Sequence, residues 1–325
     1  MHAWLCENPV GVEALRWAEL PTPEPAKGQV RVAIRAASLN FPDILVVQGK
    51  YQFKPTPPFV PGSEYAGTVD ALGEGVSHLK LGDRVVGFGS SGGFGTHVVA
   101  DAAGLAPLPA GLPFDEASAF VLTYGTTHHA LADRGQLEAG ETLLVLGAAG
   151  GVGTAAIQIG KALGARVIAA TSSAEKNAFC TSLGADDVID YKAGNVRDEI
   201  KRLTGGKGPD VVYDPVGGDL AEPVFRSIAW RGRYLVIGFA GGAIPALPLN
   251  LALLKGASIV GVFWGDYARR EPKAFAASLA ELAGWYAEGK VKPAIDRRLP
   301  MTELPAAFAR MASRQVQGKV VLVND

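Results

Sequence analysis

A glycine-rich string at residues 147–153 is the segment whose residue types and spacing point most directly to chemistry. It reads Gly-Ala-Ala-Gly-Gly-Val-Gly. Glycines between a strand and a helix let backbone N–H groups approach a pyrophosphate, and the helix N-terminus adds a partial positive charge. Ala149 stands where the middle glycine of G-x-G-x-x-G would lie, so a plain tight turn is the alternative. The apolar run 143–146 before the string and the small-residue helix after it favour a dinucleotide site.

Residues 171–176 bear on which dinucleotide the chain prefers. Sites for NAD place Asp or Glu at the end of the second strand, where the acid binds the ribose 2′-hydroxyl and repels a 2′-phosphate. Here the predicted strand is followed by Ser172 and Ser173, with Lys176 shortly after. Hydroxyl donors and an ammonium suit a phosphate, so NADPH is favoured. The alternative is that the two serines cap the next helix and that Lys176 lies on its solvated face.

Tyr51 and Asn40 are the candidates for handling a substrate carbonyl. A phenol can donate a proton to an enolate, which makes Tyr51 a candidate proton donor. The alternative is that its ring packs on Pro55 and Pro57. Asn40 could orient a carbonyl group, although asparagine is also an ordinary turn residue. We expect Asp43 to bind backbone or cap a helix.

These residues need two kinds of element to position them. Short strands separated by Gly and Pro turns are predicted in the first third of the chain, at 30–34, 67–72, 84–88 and 96–100. From residue 141 strands alternate with helices, the strands at 143–146, 166–170, 187–189, 210–213, 234–237 and 258–263. This order is typical of an α/β fold with a doubly wound parallel sheet. A helix is predicted from 114 towards 132 and a last strand at 319–323.

Composition excludes several classes of protein. The 325 residues suit two domains, and 48% hydrophobic with 19% charged residues excludes a disordered chain. A formal net charge of −1 argues against a nucleic-acid partner. Cys6 and Cys180 are far apart and in no metal-binding motif, which predicts no metal site and a reducing compartment. With no signal peptide and no membrane span in the sequence, we expect a cytoplasmic protein without a membrane partner.

Several motifs, taken together, resemble one known family. They are Asn40-Phe41-Pro42-Asp43, Pro61-Gly62-Ser63-Glu64-Tyr65-Ala66-Gly67, Leu81-Gly82-Asp83-Arg84-Val85, the glycine string, Leu183-Gly184-Ala185-Asp186 and Gly318-Lys319-Val320-Val321-Leu322. The chain is similar to the zinc-free, zeta-crystallin-like quinone oxidoreductase branch of the medium-chain dehydrogenase/reductase superfamily. Unlike zinc-dependent relatives, it has Ser63 in place of a His before Glu64 and no cysteine cluster.

The resemblance implies a fold and an assembly. A GroES-like, mostly β catalytic domain is expected at 1–120 and a Rossmann NADPH-binding domain at 121–265. Residues 266–325 are expected to form a C-terminal helix and a strand that returns to the catalytic domain. The nicotinamide is expected in the cleft between the domains, and a homodimer is expected through the last Rossmann strand, near 259–263.

The resemblance also implies site residues. Lys176 and Tyr191 match positions that hold the 2′-phosphate, and Asn40 and Tyr51 match the catalytic side. The cofactor-binding residues that it implies are Thr126, Gly150, Gly151, Val152, Ser172, Ser173, Lys176, Tyr191, Gly238, Phe239, Phe263 and Trp264.

The resulting hypothesis is an NADPH-dependent, zinc-independent reductase that transfers hydride to quinones or related conjugated carbonyls. One alternative is a 2-enoyl-thioester reductase with Tyr51 as proton donor, for which Arg269, Arg270 and Lys273 are candidate contacts to a CoA or phosphopantetheine arm. The other is a non-catalytic NADPH-binding protein.

Overall fold

The computed structural model describes residues 1–109 and 111–325, and the chain forms two compact units. The first unit comprises Met1–Leu122 and Ile295–Asp325, and the second comprises Thr123–Ala294. The first unit is therefore discontinuous in sequence.

The strands are β1 (His2–Cys6), β2 (Leu15–Glu19), β3 (Gln29–Ser38), β4 (Glu64–Leu72), β5 (Arg84–Phe88), β6 (His97–Asp101), β7 (Ala106–Pro107), β8 (Thr142–Leu146), β9 (Arg166–Thr171), β10 (Asp187–Asp190), β11 (Val211–Asp214), β12 (Arg233–Val236), β13 (Ser258–Gly261), β14 (Ile295–Pro300) and β15 (Lys319–Val323). The helices are α1 (Phe41–Val47), α2 (Phe114–Ser118), α3 (Val121–His128), α4 (Gly151–Ala162), α5 (Ala174–Ser182), α6 (Val196–Leu203), α7 (Ala221–Arg226), α8 (Asn250–Lys255), α9 (Trp264–Arg270), α10 (Pro272–Ala287) and α11 (Leu304–Ala312).

The sheet of the first unit is organised around the long strand β3. The strand order is β14-β15-β3-β4-β5-β7. One edge of β3 is shared, because β6 pairs with residues 29–33 and β15 with residues 36–38. Alternate side chains Val30, Val32 and Ile34 are buried, as expected of a strand with one face on a core. The separate strands β1 and β2 form an antiparallel pair.

The second unit holds a six-stranded parallel sheet. Its order is β10-β9-β8-β11-β12-β13, so the direction of winding changes between β8 and β11. Leu143–Leu146 are completely buried, as expected of a central strand covered on both faces. The predicted fold class, a doubly wound parallel sheet with a second, mostly β domain, is confirmed.

Helices α9 and α10 belong to the second unit, whereas the sequence suggests a boundary at residue 265. The Trp264 ring packs edge-on against Phe275, with centroids 5.6 Å apart. His128 Nε2 lies 3.0 Å from Glu281 Oε2. These contacts attach α10 to α3, so only the part of the chain from Ile295 joins the first unit.

The helix predicted from 114 towards 132 is divided. After α2 the chain makes a tight turn, in which the N–H groups of Ala119 and Phe120 bind carbonyls three residues earlier. Helix α3 then runs into a π-helical turn at His129–Arg134. Among the described residues, no helix is long and apolar enough to cross a membrane.

Candidate active site

Five polar side chains form a buried polar cluster in the first unit: Ser38, Asn40, Asp43, Glu64 and Lys319. Each is at most 4% exposed. They come from the end of β3, the start of α1, the start of β4 and the start of β15. The sequence motifs around residues 40, 64 and 319 therefore meet at one place, although they are up to 279 residues apart.

Glu64 is completely buried and has four partners in the structure. Its Oε2 accepts hydrogen bonds from Ser38 Oγ at 2.8 Å and Asn40 Nδ2 at 3.3 Å. Its Oε1 accepts from the backbone N–H of Leu122 at 2.8 Å. Lys319 Nζ lies 3.7 Å from Oε2. A buried carboxylate is tolerated only when hydrogen bonds and an opposite charge replace its water, and Glu64 has both.

The amide of Asn40 is directed into the protein. Its Oδ1 accepts from Lys319 Nζ at 2.5 Å, while its Nδ2 donates to Glu64 and approaches Ser63 Oγ at 3.5 Å. Its backbone N–H donates to Asp43 Oδ2 at 2.8 Å, which caps the start of α1 as expected of Asp43. The amide predicted to orient a substrate carbonyl is thus engaged by internal partners.

Burial shifts the pKa values of Asp43 and Lys319, the two titrating groups that flank Asn40. Desolvation raises the pKa of Asp43 to about 6, and the hydrogen bond from the Asn40 N–H opposes the shift. Desolvation lowers the pKa of Lys319, and the charges of Glu64 and Asp43 act in the opposite direction. The buried polar cluster therefore combines two acids and one ammonium in a dry environment.

Tyr51 lies on the loop that follows α1. Its ring is half-buried and packs against the hydrophobic core of the first unit. Burial raises the pKa of the phenol, and the charge of Asp43 raises it further. The hydroxyl is therefore held in its protonated form at neutral pH, which is the form that can donate a proton.

The glycine string forms the turn between β8 and α4 at the carboxyl edge of the parallel sheet, the edge at which the strands end. Gly147 has φ 58°, and a side chain there would meet Val216 at 2.8 Å. Gly150 caps α4, and Thr154 N–H makes the first backbone bond of the helix, to Gly150 O at 2.8 Å. The N–H groups of Gly151 and Val152 precede that bond and form the helix N-terminus. No acidic residue lies in the first turn of this twelve-residue helix.

The residues that follow β9 lie beside the glycine string. Ala148 N–H donates to Ala170 O at 3.2 Å, which joins the two segments. Ser172 and Ser173 are half-buried, and Ser173 caps α5 by accepting from Lys176 N–H at 3.3 Å. The capping interpretation is therefore correct for Ser173, and Lys176 lies in the first turn of α5. No acid stands between β9 and α5.

Other cofactor candidates follow the remaining strands at the carboxyl edge. Tyr191 comes directly after β10, and its N–H donates to Thr171 O at 3.1 Å. Gly238 and Phe239 come after β12, and the Phe239 ring lies 2.9 Å from where a side chain at Gly217 would begin. These residues are half-buried. Parallel pairing brings them to the same edge as the glycine string.

Three further cofactor candidates lie on or directly before helices α3 and α9. Trp264 is buried, and its ring fills the space beside Gly125 of α3. Phe263, which precedes it, is 61% exposed. Thr126 is half-buried on α3. The structure therefore places Trp264 in the packing of α3, α9 and α10 and leaves only Phe263 open to solvent.

Two interactions at this edge have no signal in the sequence motifs. Asp214, at the end of β11, accepts from the N–H groups of Val216 and Gly217 at 2.7 and 2.9 Å and from the hydroxyl of Tyr234. Thr127 Oγ1 lies 2.8 Å from the buried hydroxyl of Tyr213. The first shapes the turn beside Gly147, and the second ties α3 to the sheet. The second depends on how α3 packs on the sheet, and the first has one hint in the sequence, which is an acid directly after an apolar run.

Two of the three basic residues considered for a CoA or phosphopantetheine arm have a local partner. Arg269 and Arg270 both pair with Asp266, at 2.8 and 2.6 Å. Across the described residues there is no group of three or more His, Cys, Asp or Glu side chains that could hold a metal ion.

Two models of known protein families match this chain, one in each unit. The family described as "Alcohol dehydrogenase GroES-like domain" matches residues 26–110, and that described as "Zinc-binding dehydrogenase" matches residues 151–283. "Quinone oxidoreductase-like protein 2" of Bos taurus is 38% identical over 93% of this chain and 87% of its own length. "Quinone oxidoreductase" of Pseudomonas aeruginosa is 37% identical over 96% of both chains.

A solved structure gives the same result. The crystal structure of Escherichia coli quinone oxidoreductase complexed with NADPH superposes with a TM-score of 0.94, at 30% identity and with 100% of both chains covered. Sequence and structure agree along the whole length. The chain therefore belongs to the quinone oxidoreductase branch of the medium-chain dehydrogenase/reductase superfamily.

Proposed function

We propose that this protein is an NADPH-dependent reductase of quinones or related conjugated carbonyls that works without a catalytic zinc ion. The observation that carries the proposal is the carboxyl edge of the parallel sheet, where the glycine string and the Ser172–Lys176 segment follow the neighbouring strands β8 and β9. The E. coli relative bound to NADPH has the same fold over its whole length, which supports the same coenzyme here.

The coenzyme side of the proposal depends on the fit between these residues and a phosphorylated dinucleotide. The N-terminus of α4 offers backbone donors and a positive dipole to the pyrophosphate. Gly150 has nothing nearer than 3.4 Å to a side chain built on it, so a ligand can approach the backbone. Ser172, Ser173 and Lys176 are the donors for the 2′-phosphate, with Tyr191 beside them. No carboxylate faces that phosphate from the end of β9.

The absence of zinc from the mechanism is supported by the chemistry of the buried polar cluster. Glu64 is already bound by Ser38, Asn40 and the Leu122 N–H, and the Lys319 ammonium lies 3.7 Å away. A second cation beside that ammonium would be repelled in a dry site. Charge that develops on a substrate oxygen must then be stabilised by hydrogen-bond donors.

Tyr51 is the proton donor in the proposed reaction. NADPH, held by the glycine string and the Ser172–Lys176 segment, would supply a hydride for the β-carbon of an enone or for a quinone. The Tyr51 hydroxyl then gives its proton to the resulting enolate or phenolate, and solvent returns a proton to Tyr51. Two electrons and two hydrogens reach the acceptor. The phenol carries its proton at neutral pH, and burial, which raises its pKa, makes it a weaker acid until the substrate anion forms beside it.

We further propose a homodimer that forms through β13. This strand is the last of the parallel sheet, and no other strand among the described residues pairs with its outer edge. Ile259 on β13 and the nearby side chains of Leu253, Leu254 and Phe263 are exposed. An open apolar edge suits pairing with a second copy around a twofold axis.

We place the protein in the cytoplasm because both of its cysteines, Cys6 and Cys180, are unpaired and buried. Small disulfide frameworks belong to oxidising compartments, whereas free thiols are usual in reducing ones.

The test of the function is NADPH consumption with a quinone, an enone and an enoyl-CoA assayed side by side, with and without a zinc chelator. Turnover of the quinone or enone that survives the chelator supports the proposal. Selective turnover of the enoyl-CoA or loss of activity with the chelator contradicts it.

Lys176→Ala tests the 2′-phosphate site. It should raise KM for NADPH at least about tenfold and leave KM for NADH almost unchanged. Lys201→Ala, at an exposed position on α6, is the matched control.

A further inference from the structure

Lys319 is a buried lysine for which the proposed reaction has so far no use. Lysine is almost never fully buried unless it is paired. Its side chain is 5% exposed, and Nζ contacts Asn40 Oδ1 at 2.5 Å, with Glu64 Oε2 at 3.7 Å. Asp43 also contributes a charge that acts on it. The direct hydrogen bond therefore goes to the neutral amide, and the ion pair with Glu64 is longer.

This arrangement determines the orientation of the Asn40 amide. The carbonyl oxygen faces the ammonium, and the NH2 group faces the Glu64 carboxylate at 3.3 Å. A rotation by 180° would place NH2 against the ammonium and the oxygen against the carboxylate. Both contacts would then be repulsive, and burial would strengthen the repulsion because these residues are at most 4% exposed. Lys319 and Glu64 together thus allow a single orientation.

The oriented amide is connected to Tyr51 through α1. Asn40 directly precedes the helix, and its N–H donates to Asp43 in the first turn. The helix ends with a turn at Gly49, which has φ 65°, and Lys50 N–H donates to a carbonyl of the helix at 2.8 Å. Tyr51 is the next residue. A seven-residue helix with hydrogen bonds at both ends therefore separates the buried polar cluster from the proposed proton donor.

We propose that Lys319 is a positioning residue, which fixes the Asn40 amide and the start of α1 so that Tyr51 is held where it can donate its proton. The inference rests on the reductase function proposed above. This role differs from neutralising the charge of Glu64. If Lys319 and the Glu64 carboxylate are both removed, the charges balance again, but the hydrogen bond to Asn40 Oδ1 is still lost.

Three variants separate positioning from neutralisation. Lys319→Met leaves Glu64 as an uncompensated buried charge and should lower the midpoint of thermal unfolding by on the order of 10 °C. The double variant Lys319→Met/Glu64→Gln removes both charges and should recover most of that loss. Glu64→Gln alone keeps the ammonium on Asn40, removes its carboxylate partner and is the comparison for the double variant.

We expect the double variant to recover thermal stability without recovering kcat. The double variant should keep a kcat at least about tenfold below that of the wild type, with an unchanged dissociation constant for NADPH. Glu64→Gln keeps the hydrogen bond from Lys319 to Asn40 but removes the carboxylate that faces the Asn40 NH2, and it should lower kcat less than the double variant does. A double variant that recovers both stability and kcat, or that has the same kcat as Glu64→Gln, would show that Lys319 only balances charge and would overturn the inference.

A second readout does not depend on turnover. In 1H–15N spectra the side-chain NH2 of Asn40 should exchange slowly with solvent in the wild type and much faster in Lys319→Met/Glu64→Gln. Equal exchange in the two proteins overturns the positioning role. If the wild type reduces none of the three acceptors but the exchange difference is present, the proposed function fails and the inferred role of Lys319 in holding Asn40 stands.

Discussion

At the scale of single residues, the environment of a side chain decides what its chemical type can do. Asn40 and Tyr51 are both polar candidates, yet the amide of Asn40 is enclosed by Lys319 and Glu64, whereas Tyr51 is half-buried on a loop. We therefore assign proton donation to Tyr51. Asn40 is instead a part of the framework that supports it.

Tyr51→Phe tests that assignment. Loss of the hydroxyl should lower kcat for the best quinone or enone at least about tenfold, because a positioned general acid contributes that much or more. NADPH affinity should stay within about twofold, since the residue lies in the first unit and the dinucleotide candidates in the second. Gln52→Ala, exposed on the same loop, is the control for steady-state kinetics. Unchanged turnover in Tyr51→Phe would remove the phenol from the mechanism.

Asp43 makes stability depend on pH. Its folded-state pKa of about 6 lies above its ordinary value near 3.8, because burial disfavours the charged form. The folded state therefore binds more protons than the unfolded state between these values, and this group lowers stability as pH rises through the window. At pH 7 the charged Asp43 lowers the free energy of unfolding by about 3 kcal/mol.

The measurement is urea unfolding of wild type and Asp43→Asn between pH 4 and 7. The variant should gain stability relative to the wild type as pH rises. Asp186→Asn, measured down to pH 3, should behave oppositely below about pH 4. Asp186 is partly exposed, and the hydrogen bond from Lys161 holds its pKa below the ordinary value, so its stabilising contribution is lost as pH falls. A pH-independent difference for Asp43→Asn would contradict burial as the cause of the shift.

At the scale of elements, the turn between β8 and α4 shows why glycine is required at particular positions. A side chain at Gly153 would meet Gly147 O at 2.5 Å, which is closer than any real carbon contact. Backbone atoms cannot move aside as a flexible side chain can. The glycine at this position allows α4 to start directly against the end of β8.

Gly153→Ala should lower the free energy of unfolding by roughly 1–3 kcal/mol and weaken NADPH binding, because the clash displaces the start of α4. Gly284→Ala is the matched control in a helix, since a side chain there meets nothing within 4 Å. It should raise stability by roughly 0.5–1 kcal/mol. Urea unfolding and NADPH titration of both variants check the pair. Equal effects of the two substitutions would contradict the role given to the turn.

At the scale of the whole molecule, the open edge at β13 is the feature that predicts assembly. Ile259→Lys places a charge on that strand and should convert a dimer of about twice 33.8 kDa into a monomer of that mass. Light scattering coupled to size exclusion measures the mass directly. Leu81→Lys, at an exposed apolar position of the first unit, should leave the mass unchanged. A wild type that is monomeric at micromolar concentration contradicts the proposed dimer.

Much of the fold was predictable because it depends on local pattern. The fully apolar run at residues 143–146 and the glycines after it have the period and turn chemistry of a buried parallel strand followed by a helix. Strands β5 and β15 begin and end where the sequence suggests. Strand β14 could not be found this way. It contains Arg297 and Arg298, and it is a strand only because its backbone pairs with β15.

The sequence by itself determined the class of fold, the family and the segments that could hold a dinucleotide, because residue types and their spacing are local properties. Only the tertiary structure decided that Lys319 meets Asn40 and Glu64, and that Asp214 shapes the turn beside Gly147. Lys319 is far in sequence from Asn40 and Glu64, and the turn that Asp214 shapes is far in sequence from Gly147. Their positions follow from strand order and register, which the packing of the whole chain determines.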